Sequence, residues 1–445
     1  MHLLRRRTEL GLIVVVVLIT AGAYALAGLG KTSEMPANIG PFLGVILGLL
    51  VTAHIAVRRL APNADSILLP LAALLNGIGY VFIVRLDEAQ EESGSLAELQ
   101  SLWTAVGIGA FVATLLFVRR ARDLERYRYT FAALGLFLLV LPLFPVIGRT
   151  INGSRIWISL GPVNFQPGEA AKIVLAIFFA GYLVERREIL AMSNFRLGPL
   201  HLPDPQHLGP VALAWGASLI VMTLEKDLGS SLLFFFLFVV MLWVATGRTT
   251  YLTVGTTLFA GGAFFAWSQF EHVKDRVDVW LDPWPVAKAE GFQVVEASFA
   301  LADGGIAGTG IGLGTPTRIP EVETDFIFAA IGEELGLLGA TAVLCAYILM
   351  VGAGLRIALR ADSGFDTLLA TGLTSLLGIQ AFIIIGGVTR VLPLTGVTLP
   401  FVSYGGSSLV LNYVLLALLL RISDNSVREP TAAAPATTSA GATLR

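Results

Sequence analysis

Twelve apolar stretches, eleven of 16–20 residues and one of 30, constrain this chain more than any other feature. A helix crosses the hydrocarbon core of a bilayer with about 20 apolar residues. Backbone inside lipid must satisfy its own hydrogen bonds, which leaves helices and closed barrels as spanning structures. The stretches run Leu10–Leu29, Ile39–Val57, Ser66–Val84, Ser101–Val118, Tyr129–Val146, Glu169–Val184, Gly209–Leu224, Ser230–Ala245, Leu252–Ser268, Asp325–Gly354, Leu368–Gly387 and Phe401–Leu420. Several are rich in Val, Ile and Phe and would suit buried strands, but their length decides for helix. The expected fold is all-α: a polytopic integral membrane helical bundle of ten to twelve transmembrane helices. Only 14% of the residues are charged, against about 25% in soluble domains. Lys and Arg number 30 and Asp and Glu 32, a balance that argues against a nucleic-acid binder. The single cysteine, Cys345, excludes an internal disulfide and any multi-cysteine metal or redox centre.

Basic residues in connecting segments favour the cytoplasm. Nineteen of the 30, among them Arg5–Arg7, Arg58, Arg59, Arg119, Arg120, Arg356 and Arg360, fall on one side of an alternating topology. Ten fall on the other, and Lys172 lies within a span. Both termini are therefore expected in the cytoplasm. Arg5–Arg7, an apolar run and then Ala23, Tyr24 and Ala25 resemble a signal peptide with its cleavage site. The run is long enough to span, which favours an uncleaved anchor. Residues 1–424 read as one membrane domain, with a large extracellular loop at 269–324 between the ninth and tenth spans. Residues 425–445, rich in Ala, Thr and Pro, read as a disordered cytoplasmic tail. The 269–324 connection is too long for a plain tether and is expected to be functional. No internal repeat stands out, which weakens an inverted-repeat transporter.

The polar, glycine-rich segments all fall on the outer side, and no phosphate-loop motif is present. Asp325 stands where the long loop enters a helix. It reads either as a helix cap or as a general base whose carboxylate is desolvated by Phe326, Ile327 and Phe328. Glu169 and Lys172, three apart, share a helix face. They read as a self-neutralising pair or as a functional intramembrane charge. Asp227 is a turn residue or a carboxylate facing the same cavity. Glu333 and Glu334 must find donors or protonate, and structural pairing is the favoured reading. Arg149, Arg155, Arg276 and Arg390 are interface anchors or binders of a phosphate or pyrophosphate group. Trp157 is most simply an interfacial aromatic. The glycines at 304, 305, 308, 310, 312 and 314 make only a weak phosphate cradle.

Together these segments resemble the SEDS family (shape, elongation, division and sporulation proteins). The resemblance runs from about Ile39 to Ser423. It is carried by Ile151, Asn152 and Gly153 with Arg155 and Trp157; by Gln166 and Pro167 with Glu169 and Lys172; and by Asp227, Leu228 and Gly229. It continues through Asp282, Pro283 and Trp284; Gly291, Phe292 and Gln293; the run Thr324–Ala329; Gly332–Gly336; Leu392–Gly396; and Ser403–Ser408. Glu225–Gly229 and Gly386–Arg390 resemble the RodA branch more than the FtsW branch. Gly168 and Phe292 stand where the family usually has Ser and Tyr, and twelve runs stand where about ten are usual.

The resemblance implies a peptidoglycan glycosyltransferase that polymerises lipid II, a disaccharide-pentapeptide on undecaprenyl pyrophosphate, at the outer face of the bacterial plasma membrane. Such activity serves cell-wall elongation and shape, or division. The reaction is attack of a sugar 4-hydroxyl on the anomeric carbon of a lipid-linked sugar, with inversion. The family's essential aspartate matches Asp325. Arg149, Arg155, Trp157, Glu169, Lys172, Asp227, Arg276, Gln293, Ser403, Tyr404 and Ser407 are the expected substrate-binding residues. A divalent cation, Mg or Mn, would share the charge stabilisation, although the sequence shows no metal-ligand cluster. The implied partner is a class B penicillin-binding protein, a transpeptidase. The alternatives are a lipid II flippase and a scaffold whose outer loop docks partners.

Overall fold

The computed structural model describes residues 2–32, 39–87, 96–145, 147–151, 153–160, 163–191, 195–197, 200–202, 215–216, 219–220, 223–225 and 227–428. Among them nine helices are long and apolar enough to cross a membrane. In chain order the main helices are α1 (His2–Thr32), α2 (Ile39–Leu60), α3 (Leu68–Asp87), α4 (Leu96–Phe117), α5 (Arg128–Val140) and α6 (Pro167–Ala191). They continue as α7 (Leu228–Thr246), α8 (Thr250–Gln269), α9 (Glu271–Leu281), α10 (Phe292–Gly304), α11 (Ile327–Arg360), α12 (Gly364–Val388) and α13 (Gly406–Arg428). The chain is a multi-pass membrane protein. The expected spans at Ile39–Val57 and Leu252–Ser268 form the helices α2 and α8, which are not among those nine. The one expected at Gly209–Leu224 lies largely outside the described residues. The tail expected from residue 425 starts instead as the last turn of α13, which runs to Arg428, and from 429 it lies outside the described residues.

The inner helices are α3, α6, α12 and α13, mostly buried along their apolar windows, whereas α1, α4 and α5 turn most of theirs outward. Leu10, Val14, Val15 and Leu18 on α1 are exposed apolar side chains, as lipid-facing positions should be. Lipid gives no hydrophobic drive between helices, so small residues and close packing hold them together. Gly79 of α3 is one such point: a Cβ there would come within 2.3 Å of the Val402 carbonyl oxygen.

Three features depart from a plain bundle. The connection between the expected spans ending at Val146 and starting at Glu169 carries an antiparallel sheet of β1 (Gly148–Ile151), β2 (Ser154–Leu160) and β3 (Val163–Phe165), in which Arg149 pairs with Trp157. The long connection at 269–324 is folded, carrying α9 and α10. The third is a break in α11, where Gly336 has φ 66° and ψ −168°.

A helix break strands the backbone carbonyls and amides on its two sides, and the glycine-rich loop after α10 satisfies them. Thr309 N donates to Glu333 O at 2.9 Å and Gly310 N to Glu334 O at 3.0 Å. On the far side Leu337 N donates to Gly305 O at 2.9 Å and Leu338 N to Ile306 O at 3.2 Å. The two acids join in: Glu334 Oε2 accepts from Gly312 N at 3.0 Å and Glu333 Oε1 from Thr315 N at 2.6 Å. Arg85, buried at the end of α3, closes the arrangement on Glu334 Oε1 (3.2 Å) and donates to Gly314 O at 2.9 Å. Glu333 and Glu334 are thus structurally paired. The first segment of α11, residues 327–335, is a short half-helix with Asp325 at its entrance.

The bundle has two chemically distinct ends. At one, the start of α7, the end of α12 and the start of α13 converge with α9 and the residues before α11. At the other, Arg356 pairs with Asp65 at 2.7 Å and Arg421 donates to Leu60 O at 2.7 Å.

Candidate active site

Asp325 lies in the turn before α11, its backbone N–H donating to Glu321 O at 3.3 Å. Its Oδ2 faces Gly396, where an added Cβ would stand 3.5 Å away. The turn is held from the α12–α13 connection: Ser403 Oγ donates to Thr324 O at 2.5 Å and accepts from Leu399 N at 2.9 Å. Tyr404 N donates to Glu323 O at 2.8 Å. Ser403 and Tyr404 therefore grip the backbone beside Asp325.

The carboxylate opens on a cavity of about 570 Å³ lined by, among others, Arg276, Gln293, Glu321, Arg390 and Gly396. Burial pushes the Asp325 carboxyl up to about 7 from its ordinary 3.8; Glu321 adds to the rise and Arg276 opposes it. A carboxylate at that value is half ionised near neutrality, the condition that suits a general base.

Arg276 is placed by α9, a short helix with apolar and charged faces. Its Nη1 donates to Leu394 O at 3.1 Å. Its neighbour Trp280 donates through Nε1 to Arg390 O at 3.0 Å, and Arg390 Nη2 returns a bond to Trp280 O at 3.2 Å. Arg390 sits at the end of α12 with φ 58°, the left-handed conformation that closes many helices. Burial lowers the Arg276 pKa, while Asp325 and then Asp227 raise it. This guanidinium thus feels two carboxylates from different elements. Asp227 caps α7, accepting from Ser230 N at 2.9 Å. Beside it Glu225 is buried and pushed up to about 9, chiefly by burial and then by Asp227.

Glu169 and Lys172 occupy a separate interior position. Lys172, only 3% exposed, places Nζ 2.8 Å from Glu169 Oε1 and 3.2 Å from Gln380 Oε1. Gln380 Nε2 donates onward to Thr398 O at 2.8 Å. Ser407 Oγ accepts from Gln166 N at 3.0 Å, tying the starts of α6 and α13. The network reaches the same 397–408 connection that grips Asp325, without lining its cavity.

Of the expected site residues, Asp325, Arg276 and Gln293 meet in the cavity, and Gln293 Nε2 donates to Pro320 O at 3.2 Å. Asp227 joins through Arg276. Arg149, Arg155 and Trp157 stand on the sheet, away from the cavity wall; Arg155 Nε donates to Pro142 O at 3.1 Å and its backbone N to Glu225 O at 3.3 Å. Sequence reasoning missed His272, Asp275, Trp280, Glu290 and Glu321 as wall residues. The amphipathic pattern of 271–281 was the available signal for the first three.

The family model described as "Cell cycle protein" (FtsW, RodA, SpoVE) matches residues 66–428. The chain is 44% identical over 429 residues to the peptidoglycan glycosyltransferase RodA of Mycobacterium tuberculosis, covering 95% of this chain and 92% of that one. A solved structure described as "Structural coordination of polymerization and crosslinking by a peptidoglycan synthase complex" contains a chain with TM-score 0.66 and 28% identity, covering 82% of this chain and 99% of that one. The rod shape determining protein RodA of Thermus thermophilus superposes with TM-score 0.58 at 27% identity, over 82% of this chain and 98% of that one.

Proposed function

We infer, from the premise that this chain belongs to the FtsW/RodA/SpoVE family, that it is a peptidoglycan glycosyltransferase working on lipid II at the outer face of the plasma membrane. The observation that carries the chemistry is a carboxyl pushed up to about 7 at the mouth of a cavity it shares with a half-buried arginine. In the proposed step Asp325 takes the proton of an acceptor sugar 4-hydroxyl as that oxygen bonds to the donor's anomeric carbon. The bond from that carbon to the pyrophosphate oxygen breaks, and undecaprenyl pyrophosphate leaves with the electron pair and with inversion. Arg276 supplies positive charge where the leaving group gains negative charge, which counts for most in a water-poor site. Arg390 on the same wall is a second such cation. The sheet residues Arg149, Arg155 and Trp157 would bind the rest of the substrate, and the buried Lys172 network would act by setting the 397–408 connection beside Asp325.

Magnesium usually binds through one or two carboxylates together with substrate phosphates. The described residues bring no three His, Cys, Asp or Glu together as a metal cage. Glu321, on the cavity wall beside Asp325, is the carboxylate that would hold, together with substrate phosphates, a Mg or Mn ion, which would add positive charge at the pyrophosphate. The excess of Lys and Arg on the opposite side supports cytoplasmic termini. The solved neighbour from a complex that coordinates polymerization and crosslinking supports a class B penicillin-binding protein as partner, and a stable 1:1 pair on co-purification in mild detergent is the expected result.

The deciding experiment supplies fluorescent lipid II to the purified chain. Glycan polymer is expected; label that crosses liposomes without polymer would support a flippase instead. The rate should fall as pH drops through about 7, because the base must be ionised. In Arg276→Gln, which removes the charge that opposes the rise, the inflection should move to higher pH. An unmoved inflection would separate Arg276 from the base.

A further inference from the structure

At the end of the bundle opposite Asp325 lies a second cavity, of about 210 Å³, between the start of α3 and the ends of α11 and α13. Its wall is largely polar and basic: Asp65, Ser66, Arg356, Arg360, Ser423 and Ser426 line it together with Ile67, Ile357 and Val427. The floor is rigid. Asp65 N donates to Ser423 Oγ at 3.0 Å, Asp65 Oδ1 accepts from Ile67 N at 2.9 Å, and Asn63 N donates to Asp424 Oδ1 at 2.8 Å. Asp65 Oδ2 engages Arg356 Nη2 at 2.7 Å, yet the Arg356 side chain stays 41% exposed. That contact fixes the guanidinium fork and leaves its other N–H groups available. Arg360 follows four residues later, on the same helix face. It is exposed and has no acidic partner among the described residues. Two guanidinium groups with one carboxylate leave a net positive mouth. On the flank of the same helix Leu355 and Leu359 are exposed, Leu359 to 87%, and Val427 is exposed on α13. A cationic, hydroxyl-bearing mouth beside an apolar flank has the form of a lipid headgroup site.

We propose that this cavity binds the headgroup of an anionic phospholipid, its phosphate between Arg356 and Arg360 and its acyl chains along Leu355 and Leu359. Bidentate guanidinium contacts suit phosphate oxygens, and the adjoining leucines distinguish a lipid from a free anion.

The test uses the full chain in detergent with added phosphatidylglycerol, phosphatidylcholine or inorganic phosphate. Native mass spectrometry should retain a phosphatidylglycerol adduct, and the thermal midpoint should rise with that lipid alone. R356Q/R360Q should lose the adduct at least about tenfold, as removal of a bidentate charged contact implies. R360Q alone, at an exposed position, should weaken it while keeping the fold. R119Q/R120Q, basic residues outside the cavity wall, should retain it. An adduct undiminished in R360Q and in the double variant would overturn the proposal. An equal rise with inorganic phosphate would overturn the lipid assignment in favour of an anion site.

Discussion

Asp325→Asn is expected to lower glycan polymerisation by about 10²–10⁴-fold, the range a positioned general base contributes, while the chain stays folded. Asn keeps the shape of the side chain and cannot take the proton. The catalytic loss can be told from a folding loss by its pH dependence. The folded Asp325 holds its proton up to about pH 7, whereas the unfolded residue releases it near 3.8. The native state therefore binds more protons in that window, and its stability falls as pH rises from about 4 to about 7. Asn carries no such cost. At pH 8 the variant should melt no lower than the wild type, and below pH 4 the two should converge. Polymer formed at the wild-type rate by Asp325→Asn would remove the residue from catalysis. A melting point well below wild type at pH 8 would mean that the lost activity reports on folding.

The position of Asp325 was legible because the end of a long polar connection and the start of an apolar run leave one acid at the boundary. Its partner was not legible from spacing. Arg276 and Leu394 meet across 118 residues, and α9 has neither the length nor the apolar content of a span. Its charged and apolar faces say that it lies against something, without saying what. The sheet is a different case. Asn152 and Gly153 between short β-prone runs are the strongest local hairpin signal, so the pairing of Arg149 with Trp157 is legible in the sequence. The glycines from 304 to 314 announce tight turns and not their object. Their use, satisfying the backbone of a helix broken at Gly336, depends on a contact between segments more than 20 residues apart. Ser403 shows the same limit: the hydroxyl is conspicuous in its motif, but its hold on Thr324 O needs the bundle to be closed.

That broken helix carries the second large effect. Glu334→Ala is expected to destabilise the chain by about 3–5 kcal/mol, the cost of removing one partner from a buried ion pair. Arg85, 8% exposed, would lose its ion-pair partner and keep only the weaker field of Glu333, and Gly312 N would lose its acceptor. An unsatisfied buried amide alone costs about 1–3 kcal/mol. The half-helix at 327–335 would lose its tie to α3, and with it the setting of Asp325 against Arg276. Polymerisation should therefore fall together with stability. Replacing both partners, in Arg85→Leu with Glu334→Leu, removes the orphaned charge, and such swaps are often neutral or stabilising. The double variant should recover most of the melting point. Its activity should stay below wild type, since leucine cannot accept from Gly312 N and the glycine turn loses that anchor. Glu334→Gln keeps an acceptor oxygen for Gly312 N and should fall between Ala and wild type in both measurements. Thermal denaturation in detergent and the polymerisation assay on the same preparations separate these outcomes. If Glu334→Ala melts within about 0.5 kcal/mol of wild type, as a surface substitution would, the pair with Arg85 does not hold the break, and the half-helix must be set by the backbone bonds from residues 305–310 alone.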